Sequence, residues 1–250
     1  MQFQKLSLLK DLKMKHYRDV IVHPISDDLS FITGCDSCGA IGLKSSDVLQ
    51  VPENIVGIVT TRVAVLEVMT LGAKVIGVTV PIANEPEPTG NLILQGVHTC
   101  LKEFELDIPV LTSMEKNMKT EMTAVGVVVN GLVEDVKMHA FESGDIIYVV
   151  GRPSVGEEVL TYAKQLLNVK SVKSLLASND VKEILPVGSQ GILGELSKMF
   201  EYHGRAYELI KDGALDVSKS CGPSSVAIVI AKADCTLELD IPVHKLGVIV

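Results

Sequence analysis

Ile25-Ser26-Asp27-Asp28-Leu29-Ser30-Phe31-Ile32-Thr33-Gly34-Cys35-Asp36-Ser37-Cys38-Gly39 is the stretch on which the reading of this chain turns. Asp19 to Pro24 (DVIVHP), just before it, and Leu29 to Thr33 (LSFIT), within it, flank the polar segment 25–28. Two short β-prone runs around such a segment predict a hairpin. Asp27 and Asp28 then occupy its turn, and Asp36 follows the second strand in a run of small residues that reads as a tight Gly-rich turn. The two ends of one arm thus carry three carboxylates. Hard oxygen ligands of this kind suit Mg²⁺, which commonly takes one or two carboxylates and completes its shell with water and phosphate oxygens. From spacing alone, turn formation is the simpler account of Asp27 and Asp28.

Outward from this stretch the pattern alternates strand and helix. Pro52 opens a periodic apolar run through Ile55, Ile58, Val59, Val63, Leu66 and Met69, and Gly72 closes it, predicting a helix over 53–71. A strand over 74–80, a Pro- and acid-rich loop over 85–90, a helix over 91–105, a strand running from Ile108 to Leu111 and a long strand over 121–132 follow. The first half therefore reads ββαβαββ, after an amphipathic N-terminal segment. A polar interval leads to Gly144-Asp145 and a second α/β set: strand 146–150, helix 155–167, strand 183–187, helix 191–203, strands 226–232 and 243–249. The expectation is an α/β (α+β) protein of two domains, 1–137 and 138–250, without internal repeats or low-complexity tracts.

With 250 residues, 47% of them apolar and 22% charged, the chain has enough material for a full core. Arg62, Glu67 and Lys74 break its longest apolar runs, so no stretch reaches the roughly 20 uninterrupted residues of a membrane helix. The N-terminus lacks the apolar block and cleavage site of a signal peptide, and five irregularly spaced cysteines do not suggest a disulfide framework. A cytoplasmic location is expected. The net charge of −8 argues against non-specific nucleic-acid binding.

Glu67 is a carboxylate on the otherwise apolar or small stripe Val56, Thr60, Val63, Glu67. It needs a partner, which Arg62 or Lys74 would supply in a structural role, or a metal shared with Asp36 in a functional one. Cys35 and Cys38 form a CxxC without the second pair or nearby histidines that a structural zinc site requires. Gly188-Ser189-Gln190-Gly191 lies between a strand and a helix, where backbone N–H groups can hold an anion. Gly151-Arg152-Pro153-Ser154-Val155-Gly156 repeats the arrangement, with Ser154 and Glu157 spaced as a capping box. Helix capping alone explains both loops.

Taken in order, these segments resemble the PurM-like superfamily, which includes aminoimidazole ribonucleotide synthase, thiamine-monophosphate kinase and selenophosphate synthetase. Ile25 to Ile32 is similar to its Gly-Asp-Asp-Ala-Ala segment and Thr33-Gly34-Cys35-Asp36 to its Thr-Thr-Asp. Val65-Leu66-Glu67 through Leu71-Gly72-Ala73 resembles its Asn-Asp helix, and Val187 to Leu196 its Ser-Asp-Gly-Leu motif. The resemblance implies a homodimer with a shared barrel of N-terminal strands, a C-terminal α/β sandwich, and ATP and Mg²⁺ as cofactors. It implies catalytic roles for Asp36 and Glu67, ATP contacts from Asp27, Asp28, Gly39, Gly188, Ser189 and Gly191, and metal ligation by Asp28, Asp36, Glu67 and Glu115.

Departures narrow the choice. The family's Gly-Gly-Asp-Thr stands here as Thr112-Ser113-Met114-Glu115, and Gln190 occupies a usual Asp position. The sequence following Asp36 is not the synthase's, and no cysteine precedes the first motif as in selenophosphate synthetase. The Asp-Ser-Cys-Gly-Ala-Ile-Gly stretch is most similar to the α-ribazole kinase branch, which implies phosphorylation of a nucleoside hydroxyl in cobamide salvage. A thiamine-monophosphate kinase-like enzyme and a non-catalytic ATP-binding sensor or scaffold are the alternatives.

Overall fold

The computed structural model describes residues 15–210 and 215–250; the amphipathic segment expected at the N-terminus lies outside them. A six-stranded sheet comprises β1 (Lys15–Tyr17), β2 (Val20–Ser26), β3 (Leu29–Gly39), β6 (Lys74–Ile82), β7 (Val110–Met114) and β8 (Ala124–Val133), in the order β1-β2-β3-β8-β6-β7. Only the pair β6 and β7 is parallel. Helix α2 (Asn91–Glu103) makes that parallel crossover, as a parallel pair requires. Helix α1 (Glu53–Met69) connects β3 to β6 across β8 and, with α2, covers one face of the sheet. Strict alternation of buried and half-exposed residues along β8 reflects that one-sided covering.

The second sheet is antiparallel throughout, in the order β10 (Val181–Pro186), β12 (Val226–Ala231), β9 (Ile146–Gly151), β13 (Val243–Ile249), β11 (Tyr207–Leu209). All residues of β9, β10 and β12 are buried, because α5 (Gly191–His203) packs on one face and α4 (Val169–Ala177) on the other. The α4 side is continuous with the core of the first sheet, and α1 also touches β10. A minor parallel pair, β4 (Ile41–Gly42) and β5 (Leu49–Gln50), precedes α1, and a short α3 (Glu157–Thr161) follows β9.

The sequence-based elements recur with informative differences. The small residues Cys35 to Gly39 form no tight turn but extend β3 to eleven residues, each paired with β8 from Ser30 to Gly39. Pro86–Gly90 is extended at Glu87, as a loop would be, and is closed by the Gly90 N–H donating to the Glu85 carbonyl at 3.0 Å where it runs into α2. The helix expected over 155–167 is α3 plus a single 3₁₀ turn at Ala163–Gln165, and α4 is an additional helix, capped by the Asn168 side chain accepting from the Ser171 N–H at 2.9 Å. The Ser154–Glu157 capping box does not form: Ser154 Oγ donates to Arg152 O, and Glu158 accepts from the Val155 N–H instead.

Candidate active site

β3 alternates. Ile32, Gly34, Asp36 and Cys38 face α1, and Thr33, Cys35 and Ser37 face the opposite side of the sheet. The two CxxC cysteines are therefore on opposite faces, and both are free. A side chain at Gly34 would stand 3.0 Å from Val68 Cγ2 and 3.4 Å from Glu67 Cβ. The absence of a side chain there lets α1 settle onto β3, with Glu67 over Gly34, two residues along the same strand face from Asp36.

Glu67 is buried, and its Oε2 has no hydrogen-bond partner. Burial pushes its carboxyl up to about 8; nearby Arg18 opposes the shift, and Asp19, Glu195 and Asp36 add to it. Asp36, half-buried, is pushed up to about 6 by burial and by Asp19, against a backbone hydrogen bond at Ser37. Glu195, on α5, is also raised by burial, against Lys198 at 3.9 Å, with Asp19 adding to it. Four carboxylates from four elements thus share one electrostatic pocket: Asp19 from the β1–β2 turn, Asp36 from β3, Glu67 from α1 and Glu195 from α5. The Gly188–Gly191 loop borders it, since a Cβ on Gly188 would lie 3.9 Å from Glu195 Oε1. Gly191 takes φ +71 with the Lys219 carbonyl 2.7 Å from where its Cβ would be, so only glycine closes this loop.

Arg18 backs the pocket. Its guanidinium is buried, pairs with Glu183 of β10 at 2.6 Å and donates to the Ile184 carbonyl at 2.7 Å. Burial works against its charge, but Glu183 more than compensates and holds the guanidinium firmly protonated. Arg62 and Lys74, the partners suggested for Glu67, are elsewhere: Arg62 donates to the Leu167 and Ser224 carbonyls, and Lys74 is exposed.

Several expected site residues are not brought to the pocket. Asp27 and Asp28 are exposed at the β2–β3 turn; eight residues of strand at about 3.3 Å each place Asp28 roughly 26 Å from Asp36. Glu115 is half-buried and accepts from the Asn117 and Met118 N–H groups at 2.6 and 3.1 Å, which makes it a turn cap. Met114, beside it, pairs through Ile82 and Val125 to Cys38, three strand spacings or about 14 Å across the sheet. Gly39 is exposed with open space around it, and Ser189 and Gln190 are exposed at the start of α5. Asp19 and Glu195 are the residues sequence reasoning missed. A signal for Asp19 existed, because counting outward from a hairpin tip at 27–28 puts it opposite Asp36; the irregularity between Pro24 and Ser26 shifts the register by one, level with Cys35.

Among the described residues no three His, Cys, Asp or Glu side chains converge as a ready metal cage. The unpaired Glu67 oxygen near Asp36 nevertheless fits Mg²⁺, which needs only one or two carboxylates when phosphates and water complete its shell. Among the described residues no helix is long and apolar enough to cross a membrane.

No family model matches the sequence, and no curated protein is similar to it. Solved structures are. Thiamine monophosphate kinase from Aquifex aeolicus superposes with a TM-score of 0.67 at 13% identity, over 100% of this chain and 95% of that one. The same kinase complexed with AMPPCP and TMP gives 0.66 at 13% identity, over 100% and 92%. Phosphoribosylformylglycinamidine synthase II from Thermotoga maritima gives 0.62 at 14% identity, over 93% of this chain but 37% of that chain. This chain thus spans little more than a third of the synthase. At these identities the likeness establishes architecture alone: the chain has the fold that these two enzymes share.

Proposed function

We propose that the chain is a Mg²⁺-ATP-dependent phosphotransferase acting on a small nucleoside-like or cofactor-precursor substrate, with α-ribazole the first acceptor to test and thiamine monophosphate the second. The observation that carries this reading is the buried, unpaired Glu67 carboxylate near Asp36, in a fold that an ATP-analogue-bound kinase shares. Asp36 and Glu67 would hold Mg²⁺, with Asp19 at the exposed mouth of the pocket, and the Gly188–Gly191 backbone lies where phosphate oxygens would approach. Bound Mg²⁺ would neutralise charge on the transferring phosphoryl group. The chain's own part is positioning. Those carboxylates that are ionised repel a bare triphosphate, so nucleotide is expected to enter as its metal complex.

Two measurements test this. Calorimetry is expected to detect Mg²⁺-ATP binding and none of ATP in chelator, and Asp36→Asn should weaken it about tenfold or more with little change in melting temperature. Equal losses of affinity and stability would return Asp36 to a structural role. ATP consumption with α-ribazole and with thiamine monophosphate then identifies the acceptor. Turnover of neither, without ATP binding, sinks the kinase reading; binding without turnover across a panel of acceptors favours a non-catalytic sensor, in keeping with Met114 and Gln190.

We also propose a homodimer through the first sheet. Its helix-free face presents Ile21, Phe31, Val128 and Leu132, all half-exposed, and an apolar sheet face of this kind marks an association surface. Sedimentation should give a dimer mass, and Leu132→Arg a monomer; a monomeric parent chain overturns this assembly.

A further inference from the structure

Arg18 stands first in the two-residue turn between β1 and β2 with φ +54, a conformation that favours glycine over any residue with a side chain. Its guanidinium pairs with Glu183 and also reaches Thr70, one helical turn beyond Glu67. Both terminal nitrogens are engaged: Nη2 by Glu183 at 2.6 Å, and Nη1 by the Ile184 carbonyl at 2.7 Å and Thr70 Oγ1 at 3.4 Å. Its Nε–H has no partner, and neither has Glu67 Oε2. A buried donor and a buried carboxyl oxygen, electrostatically coupled, are thus each left without a partner. Glu183 is well anchored. Its carboxylate also accepts from the Tyr17 hydroxyl and pairs with His203 Nε2 at 2.9 Å, while the His203 ring stacks on Phe141 at 3.9 Å.

We infer that Glu183 is a positioning residue that holds the Arg18 guanidinium away from Glu67 and so keeps the acidic pocket open to a divalent cation. The inference rests on the reading of that pocket as a cation site. In a buried setting a charge left without its partner seeks the nearest opposite charge. Without the Glu183 carboxylate, Arg18 falls onto the free Glu67 oxygen and competes with the cation for it. Glu183 sits in the second sheet and Glu67 under the first, so an open pocket depends on the two sheets being docked.

The test is Mn²⁺ binding to the full chain by calorimetry, with melting temperature recorded alongside. Glu183→Gln is expected to weaken Mn²⁺ about tenfold, and Arg18→Gly, which suits the left-handed turn, to leave affinity equal to the parent or tighter. The double variant should recover the Arg18→Gly affinity. A merely structural role for Glu183 predicts instead that the double variant binds as poorly as Glu183→Gln, and that result overturns the inference. So does parent-like affinity in Glu183→Gln, or weakened binding in Arg18→Gly, which remains informative even when Glu183→Gln fails to fold. No Mn²⁺ uptake by the parent chain removes the cation site itself, whereas uptake insensitive to Glu183 removes only the Arg18 account.

Discussion

Glu67→Gln is expected to raise the melting temperature of the metal-free protein by about 5 °C near pH 8.5, while removing its stabilisation by Mg²⁺ and ATP. The Glu67 carboxyl is pushed up to about 8 by burial, from an unfolded value near 4.5. Because the folded value is the higher one, the stability this group contributes is fully present below about pH 4.5 and is lost as pH rises through about 8. A shift of this size corresponds to roughly 5 kcal/mol against the ionised form. If local relaxation recovers half, about 2–3 kcal/mol remains, and at roughly 2 °C per kcal/mol for a chain of this size that gives the stated rise. Near pH 5 Glu67 is already neutral, so the difference between variant and parent should shrink to about 1 °C or less. Thermal melts across this range decide it: a variant less stable than the parent at every pH makes Glu67 a structural carboxylate. The same logic makes metal binding pH-dependent. A cation needs both carboxylates ionised, so affinity should climb between about pH 6 and pH 8 as Asp36 and then Glu67 lose their protons.

Gly96→Ala should be more destabilising than Asp36→Asn or Glu67→Gln. Helices α1 and α2 cross at two glycines: a Cβ on Gly96 would lie 2.0 Å from the Asn54 carbonyl oxygen, and one on Gly57 would lie 2.1 Å from that of Ile93. Both obstacles are backbone, which cannot rotate away, so the helices must separate and the apolar contacts between Val56, Ile93 and Val97 loosen. Overpacking of this kind costs about 3 kcal/mol or more, a fall in melting temperature of at least roughly 6 °C. Gly39→Ala serves as the control. Its Cβ meets nothing within 4 Å, and its melting temperature should stay within about 1 °C of the parent. Unchanged stability in Gly96→Ala would mean that the two helices do not cross this closely.

Most of the fold was legible because its signals are local. Pro52 and Gly72 bracket α1 to within two residues, the segment 191–203 is a helix as expected, and the turn at Asp27-Asp28 closes the hairpin. Less legible were elements without a local signature. β1 and β11 are three residues each, and the small residues Cys35 to Gly39 carry no strand propensity of their own; they are extended because β8 supplies hydrogen bonds along them. The Ser154–Glu157 spacing suggested a cap, but φ +61 at Gly156 starts α3 two residues later than that cap requires.

The sequence by itself marked an α/β chain with carboxylates at Asp36, after a strand, and Glu67, on the helix that follows. It also determined that Glu67, on an apolar stripe, needs a partner. Which groups meet there was decided only by tertiary structure. Antiparallel pairing carries Asp27 and Asp28 to the far end of β3 and brings Asp19 alongside Asp36. Docking of the second sheet delivers Glu195, binds Arg18 to Glu183 and draws Arg62, one of the two partners expected for Glu67, to the Leu167 and Ser224 carbonyls. The physical reason is range. Helix periodicity and turn chemistry act over a few residues, whereas the protonation and partner of a buried carboxylate are set by whatever charge packing places within a few ångströms, 165 residues away along the chain for the pair Arg18 and Glu183.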